Sequence, residues 1–244
     1  MWRHDFSERT RPADLLEWMD GEDVDEQTFR ECVKSLARVN VVSLGHRPSV
    51  AFALAAARRI DRPLRLLDVG SGYGDTLRAI ARALQRQNLS AELVGADLNP
   101  HATAVAQAAS EPAYGKVNLT FHTADARDLA VEAEPFDVII SALFTHHLDN
   151  DEVVEFILGM EAQTKVGWFV NDLFRSKFAA VGFGALATVA AQHPFVRHDG
   201  PVSFARAFRR SDWVRLLSAA GIPAEDVEIA IPVPFRMCLS RWHD

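Results

Sequence analysis

Hydrophobic positions along the chain change their spacing near residue 62. Before it, apolar side chains recur at helical intervals between polar connectors, and no run has the character of a strand. One such face includes Leu16 and Trp18 and follows Pro12, and an alanine-rich helix is predicted over residues 50–60. The pattern therefore predicts an all-helical N-terminal cap over residues 1–61.

From residue 62 onward, short apolar runs alternate with amphipathic stretches. Runs of strand length cover residues 64–69, 93–96, 117–121, 136–140 and 166–170. Helical patterns lie between them, over residues 75–87, 100–110 and 151–163, and in a region rich in alanine, glycine and phenylalanine that ends near residue 192. This alternation predicts a parallel sheet covered by helices on both faces.

The C-terminal segment departs from this alternation. Ser211 is predicted to cap a helix that stops at Gly221, and two strand-like runs follow over residues 227–233 and 235–242. No helix separates the two runs, so they must pair as an antiparallel hairpin. We therefore expect five parallel strands followed by an antiparallel terminal hairpin.

Composition excludes several classes of function. The 33 acidic residues outnumber the 26 basic ones, for a net charge of −7, and no run of lysine and arginine occurs, so nucleic acid is not expected as a partner. Cys32 and Cys238 are far apart, which excludes a disulfide framework and fits a reducing cytosol. No apolar segment is long enough to span a membrane, and the polar start has no secretory signal. These features predict a cytoplasmic globular protein.

A glycine-rich turn follows the first predicted strand. Gly70, Gly72 and Gly74 permit a tight turn and close approach of a ligand where the next helix begins. Position 75 is aspartate, whereas the dinucleotide fingerprint has a small residue there, and a carboxylate at a helix start repels a pyrophosphate. With Asp68 at the strand end, the turn suits a ligand with cationic parts better than the alternative, a nicotinamide dinucleotide.

These residues resemble the class I S-adenosylmethionine-dependent methyltransferases, over residues 62–244. Four motifs occur in the family's order: Asp68 with Gly70, Gly72 and Gly74; Asp97-Leu98; Asp125-Ala126; and the strand over residues 136–141, which ends in Ser141. The resemblance implies that these residues bind S-adenosyl-L-methionine, with S-adenosyl-L-homocysteine as product. The glycine turn would hold the amino-acid end, Asp97 the ribose hydroxyls, and Asp125 the adenine amino group. It also implies a Rossmann-like, doubly wound seven-stranded α/β core, with a substrate region inserted at about residues 173–209.

Histidines after the fourth strand are candidate catalytic bases. The sequence around His146 and His147 resembles the "H-H-L" and "E-H-L" stretches of small-molecule methyltransferases of quinone and natural-product pathways. His147 aligns with the histidine of that pattern, and a neutral imidazole is suited to accept a phenolic or enolic proton. His198 beside Asp199 is a further candidate. Each histidine has a structural alternative, as a helix cap, a packed ring or a surface pair.

Residues that would contact the acceptor come from three segments. They are Phe144 after the fourth strand, Arg175, Phe178 and Arg206 behind the fifth, and Arg38 and Asn40 in the cap. Ordinary core packing of the aromatic residues and surface exposure of the arginines are the alternatives. Metal-dependent catechol methyltransferases carry an Asp and an Asp-Asn pair where this chain has Ser141 and Asn171-Asp172, so no metal ion is expected.

The function expected is metal-independent, histidine-assisted methylation of a small hydrophobic hydroxyl, phenolic or polyketide-like. C- or N-methylation of a similar molecule shares every motif and stays an alternative. So does a non-catalytic partner subunit that binds the cofactor or has lost it. The sequence leaves the identity of the acceptor and the oligomeric state open, a homodimer included.

Overall fold

The computed structural model describes residues 15, 17–20, 25–111, 113–132, 135–189, 193–232 and 235–243. Pro12 and Leu16, which belong to the first predicted helical face, lie outside the described residues. A short 3-10 turn, Trp18–Asp20, precedes the first helix. Among the described segments, no helix has the length and apolar character that crossing a membrane requires.

A seven-stranded sheet forms the centre of the molecule. Its strands in chain order are β1 (Leu64–Val69), β2 (Ala91–Asp97), β3 (Val117–Thr123), β4 (Phe136–Ala142), β5 (Thr164–Leu173), β6 (Glu228–Ala230) and β7 (Arg236–Trp242). The spatial order is β3-β2-β1-β4-β5-β7-β6. β1 to β5 are parallel, and β7 pairs antiparallel with both β5 and β6. The predicted fold class, with five parallel strands and an antiparallel terminal hairpin, is confirmed.

Helices fill the connections. They are α1 (Glu26–Val42), α2 (Arg47–Ala57), α3 (Asp75–Arg86), α4 (Pro100–Ala108), α5 (Ala126–Glu132), α6 (Asn150–Gln163), α7 (Lys177–Val189), α8 (Pro194–Arg206) and α9 (Arg210–Ala219). The sequence pattern did not predict α8, because Gly200 and Pro201 interrupt it. The helix forms nevertheless, since His193 caps its start and Val202 and Phe204 are buried.

The start of α9 corrects one prediction. Ser211 was expected to be the N-cap, but Arg209 holds that position. Asp212, three residues further on, accepts a hydrogen bond from the Arg209 backbone N–H at 2.8 Å. The Asp212 carboxylate also pairs with Arg175 and Arg215, so it is anchored from both sides of the helix start.

Apolar packing on both faces of the sheet explains why its central strands are hydrophobic throughout. In β1, Leu66 packs with α2 and α3 through Phe52 and Ile80, whereas Leu67 packs on the opposite face against α6 and α9. The chain crosses from one side of β1 to the other between β3 and β4, so the strand order reverses beside β1. In open α/β sheets, ligands bind at such a switch point, beyond the carboxyl ends of the strands.

Candidate functional site

The turn after β1 has the backbone that its glycines allow. Gly70, Gly72 and Gly74 have φ angles of 68°, 50° and 70°, in the left-handed region that side chains other than glycine rarely adopt. Gly70 and Ser71 donate their backbone N–H groups to the Ala96 carbonyl, at 2.9 and 3.0 Å. A Cβ on Gly72 would meet nothing within 4 Å, so this residue leaves open space on the ligand side of the turn.

A cavity of about 1140 Å³ opens above the carboxyl ends of β1, β2 and β4. Many of the residues predicted for the site line it: Asp68, Gly70, Gly72, Asp97, Leu98, Asp125, Ala126, Phe144, His146, His147, Arg38 and Asn40. Two predicted cofactor residues do not. Gly74 faces the Phe121 ring, where a Cβ would come within 2.5 Å, and Ser141 is 1% exposed within the sheet.

Asp68 is a buried acidic residue at the start of the glycine turn. It is 1% exposed, and its Oδ1 has no hydrogen-bond partner among the described residues. Burial raises the pKa of Asp68 well above its ordinary value, and repulsion from Asp75 and Asp97 raises it further. Three carboxylates thus converge on the glycine turn, and a cationic ligand would relieve their mutual repulsion.

Asp75 is held by the cap. Asn40 donates from its side-chain amide to Asp75 Oδ2 at 3.2 Å, and His46 Nε2 lies 3.2 Å from the same atom. Burial acts to raise the pKa of Asp75, but the hydrogen bond and charge of His46 outweigh it, so the pKa lies below its ordinary value. Asn40 Oδ1 in turn accepts from Arg236 Nη2 at 2.9 Å. The cap and the last strand therefore meet over the start of α3.

Asp97 and Asp125 accept hydrogen bonds from residues at the carboxyl ends of the strands. Asp97 accepts the backbone N–H groups of Gly72 and Asn99, at 2.8 and 2.9 Å, which ties the glycine turn to β2. Asp125 accepts from the Arg127 side chain at 2.6 Å, and this hydrogen bond lowers the pKa of Asp125 below its ordinary value. Both carboxylates line the cavity.

The two histidines after β4 lie together in the cavity wall. The rings of His146 and His147 lie 4.3 Å apart, tilted by 38°. His146 Nδ1 lies 2.7 Å from Asp172 Oδ1, and its Nε2 faces Glu17 at 3.6 Å. Burial acts to raise the pKa of Asp172, but the charge and hydrogen bond of His146, with a hydrogen bond from Thr145, lower it overall. His146 is therefore fixed in place, and His147 is the more open of the pair.

Four predicted site residues lie away from the cavity lining. His198 bonds Asp199 at 2.7 Å, but its ring stacks on Trp18 at 3.9 Å, and Asp199 accepts the backbone N–H groups of Trp18 and Met19. This pair holds the N-terminal segment against α8.

The other three are Arg206, Arg175 and Phe178. Arg206 is buried and donates to the carbonyls of Leu15, His146 and His147. Arg175 is buried against Asp212, so neither arginine is exposed at the surface, and neither lines the cavity. Phe178 is 87% exposed.

The oxygen ligands of a catechol-type metal site are not assembled here. Asn171 donates its amide to the Gly45 carbonyl and to Ser49, and Asp172 is taken up by Thr145 and His146. Glu17, His146 and His147 place one donor atom each within 4.8 Å of one another, a spacing compatible with an ion. Hard cations prefer several oxygen ligands, and this group offers a single carboxylate, which already accepts from Ser203.

Sequence reasoning missed Arg236 and Glu17, which both line the cavity. A signal for Arg236 exists, because it is a charged residue that begins the final strand directly before the apolar run 237–239. Nothing in the local pattern around Glu17 indicates that it is buried against residues more than a hundred positions away.

Comparisons with known proteins identify a methyltransferase domain in this chain. Residues 66–167 match the family model of a methyltransferase domain. A ubiquinone biosynthesis O-methyltransferase of Mesorhizobium japonicum is 34% identical over 164 residues, which cover 66% of this chain and 61% of that relative. The chain thus spans about three-fifths of the length of the curated relative it matches.

Solved structures share the fold. Magnesium protoporphyrin IX methyltransferase from Synechocystis PCC 6803 with bound SAH is 17% identical, with a TM-score of 0.53 over 93% of this chain and 91% of that one. The plantazolicin methyltransferase BpumL, in complex with a triazolic desmethylPZN analog and SAH, is 16% identical, with a TM-score of 0.60 over 89% and 95%. With the matched domain, the four motifs in order and this strand order, the chain contains a methyltransferase domain with the fold of the class I S-adenosylmethionine-dependent methyltransferases.

Proposed function

We propose that this protein transfers a methyl group from S-adenosyl-L-methionine to a hydroxyl of a small hydrophobic acceptor, without a metal ion. The observation that carries the proposal is Asp68, a buried carboxylate with an unsatisfied oxygen beside two further carboxylates at the glycine turn. S-adenosyl-L-methionine, when bound, supplies an electrophilic methyl group on a sulfonium, and its sulfonium and ammonium carry the positive charge that such a turn favours.

The residues present fit this cofactor. Gly70 and Gly72 leave room for its amino-acid end beside Asp68, because Gly72 has open space where a side chain would be. Asp97 ends β2 and Leu98 follows it, where the family places the ribose and the adenine, and Asp125-Ala126 follow β3. All of these residues line the same cavity.

The cavity also has room for an acceptor. Its volume of about 1140 Å³ exceeds the range of roughly 300–1,000 Å³ typical of single-ligand pockets. Phe144, Phe156, Met160, Phe183 and Phe204 line the cavity, and they favour an apolar and aromatic molecule. We propose that residues 1–61 act as the cap and residues 173–209 as the substrate region, because α1, α7 and α8 all contribute to the lining.

His147 is the proposed base for the acceptor hydroxyl. It lines the cavity and is more accessible than His146, whose Nδ1 is held by Asp172. Two contacts position His147. Arg206 donates to its backbone carbonyl at 2.5 Å, and the His146 ring packs beside its ring. Methyl transfer needs alignment above all, and proton removal by a placed base contributes about 10²–10⁴-fold. The name of the Mesorhizobium japonicum relative supports oxygen as the methylated atom.

The experiment has two stages. Calorimetry with S-adenosyl-L-homocysteine tests the cofactor, with binding in the micromolar range or tighter expected, about −8 kcal/mol. Labelled S-adenosyl-L-methionine is then supplied with panels of phenols, enols and amines. Methylated phenols support the proposal, product from enols or amines alone replaces it with C- or N-methylation, and binding without any product indicates a non-catalytic subunit.

A further inference from the structure

Arg236, the first residue of β7, is a buried cation in the wall of the cavity. It is 5% exposed and lies opposite Leu173 at the carboxyl end of β5. Arginine is rarely buried to this extent unless an anion accompanies it. The partners of its guanidinium therefore show whether it serves the fold or a ligand.

The described residues provide no ion pair for Arg236. Its one side-chain hydrogen bond goes from Nη2 to the neutral amide oxygen of Asn40, at 2.9 Å. Burial lowers the pKa of Arg236, and Asp172 is the largest opposing influence. The Asp172 oxygens, however, already accept from Thr145, from the His146 side chain and from the Leu173 backbone N–H.

The surrounding backbone is shaped to admit this side chain. Gly45 lies against the guanidinium, and a Cβ there would overlap Nη2. Phe235, immediately before Arg236, has φ of 50°, a conformation costly for a residue other than glycine, and its carbonyl accepts from Phe174 N–H at 2.9 Å. A strained residue and a glycine thus accompany a cation that lacks a counter-ion.

Asn40 sets the direction of the guanidinium. Its amide nitrogen donates to Asp75, so its oxygen must face Arg236. With one Nη occupied in this way, the rest of the planar fork remains for a ligand, and two parallel N–H groups of guanidinium match the geometry of a carboxylate.

We propose that Arg236 is the carboxylate-binding residue of the cavity. The assignment rests on the proposed function, under which two molecules occupy the cavity, and either the amino-acid end of the cofactor or an acidic acceptor supplies the carboxylate. In both cases the bound carboxylate replaces the missing counter-ion, and the ligand without its carboxylate binds more weakly.

The first arm of the test uses calorimetry. S-adenosyl-L-homocysteine is compared with its decarboxylated analogue, 5′-S-(3-aminopropyl)-5′-thioadenosine, on the unchanged protein and on Arg236→Met. If the cofactor supplies the carboxylate, the unchanged protein prefers S-adenosyl-L-homocysteine by about 10-fold or more, and the variant loses that preference. Arg241→Met is the matched control, because Arg241 lies on the same strand but pairs with Glu161 and Asp226 and does not line the cavity.

The second arm compares the KM of hydroxybenzoates with that of their methyl esters. A preference for the free acid that disappears in Arg236→Met assigns the acceptor as the source. Arg236→Lys, which keeps the charge but loses the fork, should retain part of the preference in whichever arm shows one, and thermal unfolding checks that each variant folds.

The preference for a ligand with its carboxylate is measured in both arms. If it is the same in the unchanged protein and in both Arg236 variants, the assignment is overturned and the proposed function stands. No binding of either nucleoside to the unchanged protein overturns the proposed function and this assignment together.

Discussion

Replacing Asp68 by Asn should stabilise the free protein and weaken its binding of S-adenosyl-L-homocysteine. The substitution keeps the size of the side chain and removes an acidic group that is 1% exposed and has one oxygen without a hydrogen-bond partner among the described residues. A buried charged group left unsatisfied costs about 1–3 kcal/mol or more. Asparagine still buries polar atoms, so we expect a gain of about 1–2 kcal/mol in the free energy of unfolding. For a chain of this size, that gain raises Tm by about 2–8 °C.

Ligand affinity should change in the opposite direction. Loss of a charge-assisted contact to the cationic ligand costs about 1.5–3 kcal/mol, which corresponds to about 10- to 150-fold in Kd. Differential scanning calorimetry of the ligand-free protein and titration with S-adenosyl-L-homocysteine measure the two effects separately. Asp137→Asn is the matched control, because Asp137 is equally buried but pairs with Arg62 and the Arg65 N–H and does not line the cavity. It should lower Tm and leave affinity unchanged.

The pH dependence of stability gives a further check on the direction of the Asp68→Asn effect. The pKa of Asp68 is raised in the folded protein, so the folded state binds this proton more readily than the unfolded chain does. Ionised Asp68 destabilises the folded protein, and this destabilisation is complete above the pKa that Asp68 has in the folded state. It disappears as the pH falls towards the pKa of an aspartate in the unfolded chain, about 3.9. The stability difference between Asp68→Asn and the unchanged protein should therefore shrink on acidification. A lower Tm for Asp68→Asn at neutral pH, or unchanged affinity, would refute the reasoning.

Two further predictions concern the chemistry. His147→Ala should lower kcat towards a phenol by about 100-fold or more and leave the affinity for S-adenosyl-L-homocysteine unchanged. His122→Ala, on the exposed side of β3, should change neither quantity. If steady-state assays give the same kcat for His147→Ala and the unchanged protein, His147 is not the base. Dialysis against EDTA should leave the rate of methyl transfer unchanged, because the oxygen ligands of a catechol-type site are not assembled. Activity lost on chelation and restored by zinc would identify Glu17, His146 and His147 as a metal centre instead.

Much of the core could be predicted from the sequence because its signals are local. The bounds of β1 agree with the prediction to the residue, since an apolar run that ends in glycines has one compatible local structure. Asp68, Asp97 and Asp125 could be predicted to line one cavity, because parallel strands present their carboxyl ends at one edge of the sheet. Within the described residues, the architecture and the proposed cofactor end of the cavity thus follow from periodicity and motif order.

The proposed acceptor end of the cavity depends on tertiary structure, because its contacts join residues far apart in the chain. The Asp199 carboxylate contacts His198, its neighbour in the sequence, but it also accepts the backbone N–H groups of Trp18 and Met19, 181 and 180 positions away. Arg236 gave no motif to recognise, because its position depends on Gly45 and Asn40 in the cap. Sequence spacing specifies which residues share a strand end or a helix face. Whether a buried charge finds a partner within the protein or awaits one from a ligand depends on how distant segments pack together.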